Sequence, residues 1–410
     1  MLKAELLELL VNGESSGIEF KRDDIRPEQL AKEIVAFANL EGGRILLGVE
    51  DDGTLSGLHR PDTQEWVLNV FRDKVFPMII PYYEEVDVDG IRIGVATIPR
   101  GISKPYVVRN NGREEIYIRM GNRSEIASRE QQARLFSIGG ILHIEVLPVS
   151  GATLKSLDLV RFEYYLEQVI HDIQIPTNEQ QWVDRLKGLG LMTEDGLGSA
   201  VCTIAGLVCF GKNPSKFLPQ AGLRVMAFSG DKKEYRAILD TKLDGPLVGR
   251  WEDYSGQKSI VDDGLLEKFS NTIRPFISEE SDSIDLSMRK TTHMKYPWEA
   301  VRETVVNALV HRDWTQSVDI EIALYSDRME ITSPGKLPNS MTIEKMLAGQ
   351  RTPRNPLIVE IMRDYGYVDA RGMGVRTKVV PLMIKMNNVE PQYILTEDYL
   401  RVVLPASYPK

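Results

Sequence analysis

Cysteine is nearly absent: Cys202 and Cys209 are the two the chain contains. That excludes a disulfide framework and a four-cysteine zinc site, and it suits a reducing, cytoplasmic setting. A G-x-x-x-x-G-K-[ST] phosphate loop is missing, which excludes a motor helicase of that class. Long apolar runs are missing as well. The most apolar stretch, Ala200 to Gly211, is shorter than the roughly 20 residues a membrane span needs, so no membrane role is expected. The opening MLKAELLELLVNGE places Glu5 and Glu8 inside its apolar residues and reads as an amphipathic helix rather than a signal peptide. Positive charge is not in excess either, with 50 Lys and Arg against 59 Asp and Glu and a net charge of -9. Bulk attraction to nucleic acid is thereby excluded, and any such contact must use a local basic surface. Internal repeats and low-complexity tracts do not occur, so boundaries have to come from punctuation.

What remains is the composition of an ordinary globular protein, 42% hydrophobic and 27% charged over 410 residues. Single cores stop growing at roughly 250–300 residues, so two to three domains are expected. The pattern changes predict an α+β and α/β multidomain chain with boundaries at 1–140, 141–288 and 289–410. In the first region Pro27 opens a helix with Leu30, Ile34 and Phe37 on one face, and Gly42-Gly43 ends it. A strand from Arg44 to Val49 follows. Asp52-Gly53 and Asp89-Gly90 read as tight turns, Glu115 to Arg119 as another strand and Ser128 to Phe136 as a helix. The middle region has helical stretches at Leu157 to Ile173 and Glu179 to Leu189, then strands at Leu223 to Phe228 and Arg236 to Leu239. That order is compatible with a winged-helix-like piece and with a plain connector.

Two constellations carry chemistry. In the first, Glu14, Glu19, Glu50 and Asp51 are separated in sequence, yet a turn and a helix-to-strand connection would bring them to one rim. Oxygen ligands of this kind suit magnesium or manganese, and a metal there would activate water against a phosphodiester. Ordinary surface acids are the plainer reading. From Lys104 to Arg134 seven basic residues (Lys104, Arg109, Arg113, Arg119, Arg123, Arg129, Arg134) face four acidic ones. Tyr106 and Tyr117 are interleaved, so this segment reads either as a phosphate-contacting face or as a solvated strand face.

These residues bear a family resemblance. ESSGIEFKR at Glu14 to Arg22, IVAFANLEGGRILLGVEDDG at Ile34 to Gly53, KPY at Lys104 to Tyr106 and YIRMGNRS at Tyr117 to Ser124 resemble the Schlafen-type AlbA domain. The resemblance covers about a third of the chain. It implies an α+β fold that contacts DNA or RNA through Lys21, Arg22, Lys104, Arg109, Arg119 and Arg123. Some Schlafen proteins are endoribonucleases using two glutamates and an aspartate. Glu14 and Glu19 match the glutamates in spacing, whereas Glu50 stands where the aspartate belongs, with Asp51 beside it.

In the second constellation, PWEAVRETVVNALVHRDW from Pro297 to Trp314 has an apolar stripe of Val301, Val305, Ala308 and Leu309. Glu303, Asn307 and His311 recur every four residues and form a polar ridge on the same helix. Paired strands at Ile320 to Tyr325 and Met329 to Thr332 end in Ser333-Pro334-Gly335-Lys336. Further on, ARGMGVR from Ala370 to Arg376 puts two glycines where a loop meets a helix start, a place suited to phosphate oxygens.

Together these pieces are similar to the N, G1 and G2 boxes of the GHKL ATPase fold, in the divergent form that often follows a Schlafen-type AlbA domain. The similarity implies a Bergerat-like α/β sandwich binding ATP and Mg2+. Glu303 would polarise the attacking water, and Asn307 together with Glu303 would ligate the metal. His311, Ser333, Gly335, Gly372, Gly374 and Arg376 would complete the nucleotide site. Ser333 stands near the place of an aspartate that reads the adenine amino group in that fold. The expected function is a nucleotide-responsive, nucleic-acid-binding protein of the transcriptional-regulator kind. The alternatives are a metal-dependent endoribonuclease, using Mn2+ or Mg2+ at the N-terminal acids, and an oligomeric defence or assembly scaffold with vestigial sites. A homo-oligomer is expected.

Overall fold

The structure, a computed structural model, describes residues 1–110, 112–140, 142–254, 257–284, 290–338, 341–350, 352–369 and 374–407. It is mixed α+β and divides into two compact units, Met1–Leu142 and His143–Lys410. Among the described residues no helix is long and apolar enough to cross a membrane.

The first unit is built on a four-stranded sheet ordered Ile18–Lys21, Gly43–Leu47, Ile91–Ile98, Tyr82–Val88. Its first two strands are parallel and the other pairs antiparallel. A parallel pair needs a crossover, and the helix Pro27–Asn39 supplies it, with Pro27 in its first turn as the sequence predicts. Side chains alternate across the pleat. Ile45 and Leu47 point to the face covered by Leu30, Ile34 and Phe37 of that helix and by Val67 and Phe71 of helix Thr63–Lys74. Leu46 points to the other face, with Phe20, Ile93, Val95 and Leu6 of helix Lys3–Asn12. Asp89 and Gly90 both adopt positive φ in the two-residue turn between Tyr82–Val88 and Ile91–Ile98, as a tight hairpin requires.

The second unit holds a six-stranded sheet ordered Leu239–Leu243, Leu223–Ala227, Ile320–Leu324, Arg328–Pro334, Tyr399–Pro405, Gln392–Leu395. Leu223–Ala227 runs parallel to Ile320–Leu324, and every other pair is antiparallel. This corrects the expected boundary at residue 288. Two strands of the expected connector complete the sheet of the expected C-terminal domain, because Leu223, Val225, Ile320 and Ile322 bury their side chains completely only when the strands pair. Helices Trp298–His311 and Leu265–Ile277 pack against this sheet, giving a layered α/β sandwich.

In the remainder of the second unit, helix Glu179–Gly188 precedes a hairpin of Met192–Glu194 and Ala200–Cys202, then a helix Ile204–Phe210 whose residues are all buried. The hairpin carries Glu194 and Asp195 rather than cations, and Trp182 of the preceding helix packs on Phe162 with ring centroids 5.8 Å apart.

Candidate functional site

Helix Trp298–His311 is buried along most of its girth, through Val301, Val305, Val306, Leu309 and Val310. Glu303, Asn307 and His311 project from it into a cavity of about 580 Å³. The spacing of four puts them on one line, one helical turn apart. The floor of the cavity is the sheet: Ile331 pairs with Val402 and Ser333 with Leu400 across adjacent strands, and all four line it. The rim comes from Leu337, Pro338, Met341 and Met346 on one side and from Pro356, Val359 and Arg363 on the other.

Glu303 is 5% exposed. Asn307 Nδ2 donates to its Oε1 at 3.4 Å, and Lys378 Nζ stands 4.0 Å from Oε2, which has no hydrogen-bond partner among the described residues. Burial raises its carboxyl above the ordinary carboxylate range, opposed by Lys378, Arg302 and Asn307. Gly374 lies directly on it, so closely that a Cβ there would sit 1.7 Å from Oε1. Only glycine brings backbone to that point. His311 is kept neutral at pH 7, since burial, followed by the Arg354 guanidinium, lowers its imidazole to about 4.

Ser333 is buried and its Oγ donates to Ala308 O at 3.0 Å. That carbonyl lies in the last turn of the helix, where intrahelical partners run out. Gly335 has φ +97, and a Cβ there would meet Asp313 Cβ at 2.5 Å. Arg376 is exposed, donates to Ala348 O at 3.1 Å and does not line the cavity, which corrects its expected place in the site. Gly372 lies outside the described residues.

The structure also explains the turn after His311. Arg312 is buried, with its pKa lowered to about 10 chiefly by burial, and donates to the carbonyls of Gln220, Gln316 and Val318. Asp313 accepts from Thr315 N and Oγ1 and pairs with Arg354 at 2.8 Å. Asn355 Nδ2 donates to Val310 O and Arg312 O, capping the helix. Sequence reasoning missed Arg354, Asn355 and Lys378. The Asn355-Pro356 pair was a readable helix-start signal, whereas nothing in the sequence marks Arg354 or Lys378.

The N-terminal constellation is arranged differently. Glu19 is 5% exposed and pairs with Lys21 and, at 2.5 Å, with Arg119. Arg119 is itself buried. It pairs with Glu33 at 3.2 Å, donates to Ser15 O and Ile18 O, and stacks its guanidinium 4.5 Å from the Phe37 ring centre. Lys104 is buried too, donating to Leu40 O. These two were expected on the nucleic-acid face. Instead they satisfy carboxylates and carbonyls inside the unit, where an unpaired charge is costly.

Glu14 accepts from Phe20 N at 3.0 Å, and burial raises its carboxyl pKa, with Glu19 and Asp51 adding to the effect. Glu50 lies 3.8 Å from Arg22. Among the described residues no three His, Cys, Asp or Glu side chains are placed to hold a metal ion. Of the acids expected to hold Mn2+ or Mg2+ there, Glu19 is instead paired with Lys21 and Arg119. Of the six expected phosphate contacts Arg22, Arg109 and Arg123 are exposed, Arg109 lying over Phe76 and pairing with Glu114. Lys21 is half-buried beside Glu19.

Residues 14–128 match the family model "Schlafen, AlbA_2", and residues 318–404 match the model "Putative ATP-dependent DNA helicase recG C-terminal". The second match takes in Ser333 and Gly335 and starts after Asn307. Among solved structures, the DIP2311 protein from Corynebacterium diphtheriae aligns over 100% of this chain and 80% of its own, at 18% identity with a TM-score of 0.44. The N-terminal domain of a "Putative ATP-dependent DNA Helicase RecG-related Protein" from Nitrosomonas europaea aligns over 32% of this chain and 93% of its own, at 25% identity with a TM-score of 0.25. No curated protein matches the chain.

Proposed function

We propose that the second unit binds a nucleoside triphosphate with magnesium in the cavity under helix Trp298–His311, and that occupancy alters how the first unit engages DNA or RNA. The observation that carries this reading is the open cavity of about 580 Å³ with Glu303, Asn307 and Gly374 on one wall. Its volume suits a small-molecule ligand. The chemistry of the wall fits a hard cation: Glu303 and Asn307 supply oxygen donors one turn apart, and among the described residues one Glu303 oxygen has no hydrogen-bond partner. Glu303 and Asn307 would hold the cation, which would supply charge neutralisation to the phosphates. Glu303, held above its ordinary pKa by burial, is the better proton acceptor for a nucleophilic water. Gly374 and the backbone that follows it open a helix start toward the same carboxylate, where N–H groups suit phosphate.

On the first unit Arg22, Arg109 and Arg123 offer exposed cations for phosphate contacts. The test is a mobility shift of the full chain on DNA and on RNA, with and without ATP and magnesium. A several-fold change in apparent affinity on adding nucleotide, abolished in Asn307→Ala, is expected. Absence of any shift in either condition would overturn the reading.

A further inference from the structure

Helix Pro356–Asp364 turns Pro356, Val359, Glu360 and Arg363 toward the cavity and buries Ile358, Ile361 and Met362. Its start is capped from far outside the segment. A helix leaves its first N–H groups without intrahelical partners, and an asparagine before the first turn ordinarily accepts from one of them. Asn355 holds that position but makes no cap bond to its own helix, and its side chain is engaged by Val310 O and Arg312 O instead. Pro356 has no N–H. The first donor of the helix is therefore Leu357 N, and its acceptor is the Glu145 carboxylate, 212 residues earlier in the chain, at 3.4 Å.

Glu145 lies on the segment by which the chain enters the second unit. The first unit ends at Leu142, and Ile144–Val146 form a single 3-10 turn just after it. Leu147 O accepts from Ile204 N, and Val149 N donates to Cys202 O, which fastens the end of this connector. Glu145 is 1% exposed, and one of its oxygens has no hydrogen-bond partner among the described residues. Burial raises its carboxyl above the ordinary carboxylate range, opposed by the Leu357 N–H and by His143. A leucine in its place would avoid the cost of burying a carboxylate. What the carboxylate offers and a leucine does not is a polar tie between connector and helix. At 3.4 Å that tie is longer than an ordinary N–H to oxygen bond, and a shift of the helix start by about 0.5 Å closes it to full strength. The pair thus has a loose and a tight arrangement, and a ligand resting on the cavity face of the same helix selects between them.

We infer that Glu145 is the positioning residue through which occupancy of the cavity reaches the connector and, through it, the first unit. The inference rests on the nucleotide reading above and traces its regulation to one bond. Because the chain itself passes from one unit to the other at Leu142-His143, a displaced connector acts on the first unit by covalent continuity.

The experiment is hydrogen exchange of the full chain, read by mass spectrometry in peptides spanning 143–149 and 356–364, with and without ATP and magnesium. In wild-type protein the nucleotide is expected to slow exchange in both, by roughly 5-fold or more. Glu145→Leu keeps the volume and removes the acceptor, and it is expected to retain the slowing at 356–364 and lose it at 143–149. Glu145→Gln still offers an oxygen to Leu357 N and is expected to restore the response. A second arm removes the donor: Leu357→Pro, in a first helical turn that accepts proline, is expected to behave like Glu145→Leu. In mobility shifts Glu145→Leu and Leu357→Pro should bind nucleic acid as the wild type does without nucleotide and should no longer respond to ATP. A residue that only stabilises the fold would lower the unfolding midpoint and leave the response at 143–149 intact. Slowing at 143–149 that survives in a folded Glu145→Leu or Leu357→Pro would therefore overturn the inference. So would a wild-type response confined to 356–364, which leaves the nucleotide reading standing. No response in either wild-type peptide would overturn the nucleotide reading and the inference with it.

Discussion

Glu19 in the first unit and Glu303 in the second are buried to the same degree, each 5% exposed. Their surroundings differ in kind. Glu19 is held by Lys21 and Arg119, and Arg119 in turn bridges to Glu33. Among the described residues one oxygen of each carboxylate lacks a hydrogen bond, but that of Glu19 lies 2.5 Å from Arg119, whereas Glu303 has a weak amide contact and a lysine no nearer than 4.0 Å. A buried carboxylate that is fully neutralised does structural work, and one left partly unsatisfied beside a cavity holds its affinity for a ligand or a proton. The family resemblance alone ranked the two acids alike as candidates for metal chemistry. Their partners separate them.

The largest expected effect breaks the first half of this comparison. Arg119→Met leaves Glu19 and Glu33 buried without their common cation, and removing one partner of a buried pair typically costs about 3–5 kcal/mol. Urea denaturation should show the transition of the first unit moving to much lower denaturant. A loss under about 1 kcal/mol would mean that Lys21 and Ser124 suffice to neutralise the cluster, and Arg119 would return to the list of available phosphate contacts.

Next in size is Gly374→Ala. The added methyl carbon falls 1.7 Å from Glu303 Oε1, so either the carboxylate or the chain at residue 374 must move. ATP-magnesium binding is expected to weaken by roughly 10-fold or more, about 1.4 kcal/mol, with little change in unfolding midpoint. Unchanged affinity would remove Gly374 from the site.

Glu303→Gln probes the other half of the comparison. The Glu303 carboxyl is held above its ordinary value chiefly by burial. A raised folded-state pKa in an acid means the folded protein holds the proton more tightly than the unfolded chain, so this group's favourable contribution exists at low pH and is lost as pH rises through the folded value. Replacing it with a neutral amide is therefore expected to stabilise the protein by about 1 kcal/mol at pH 7 and to leave it unchanged in acid. Thermal melts at the two pH values check the sign. Destabilisation at pH 7 would show that Lys378 compensates the charge fully.

Parts of this picture were legible in the sequence because they are local. The helix from Pro27 announced itself by an apolar period and a proline in its first turn, and the Glu303, Asn307, His311 row by a period of four. Both are set by residues within a few turns of each other. The partnership of Leu223–Ala227 with Ile320–Leu324 was not legible, since a short apolar run does not name its neighbour and a long stretch of chain intervenes. Arg119 was misread for a different reason. Arginine is ordinarily exposed, and only the fold shows that Glu19 and Glu33 converge on it. Arg354 escaped notice because its role, pairing with Asp313 beside Gly335, exists only once three separated segments meet.

The smallest effect sharpens the contrast within the first unit's own cations. If Arg119 and Lys104 are structural, phosphate contact falls to exposed residues such as Arg22, Arg109 and Arg123. Each substitution to alanine is expected to leave stability within about 0.5 kcal/mol, since surface changes away from special features rarely do more. Each should also reduce the slope of log affinity against log salt by about 1 on any bound nucleic acid, because each neutralised phosphate releases counterions. Arg109→Ala carries an added cost, as its guanidinium also covers Phe76 at 4.0 Å. Salt titrations of the mobility shift measure the slope directly. A slope untouched by all three substitutions would place the nucleic-acid contact on another face of the unit.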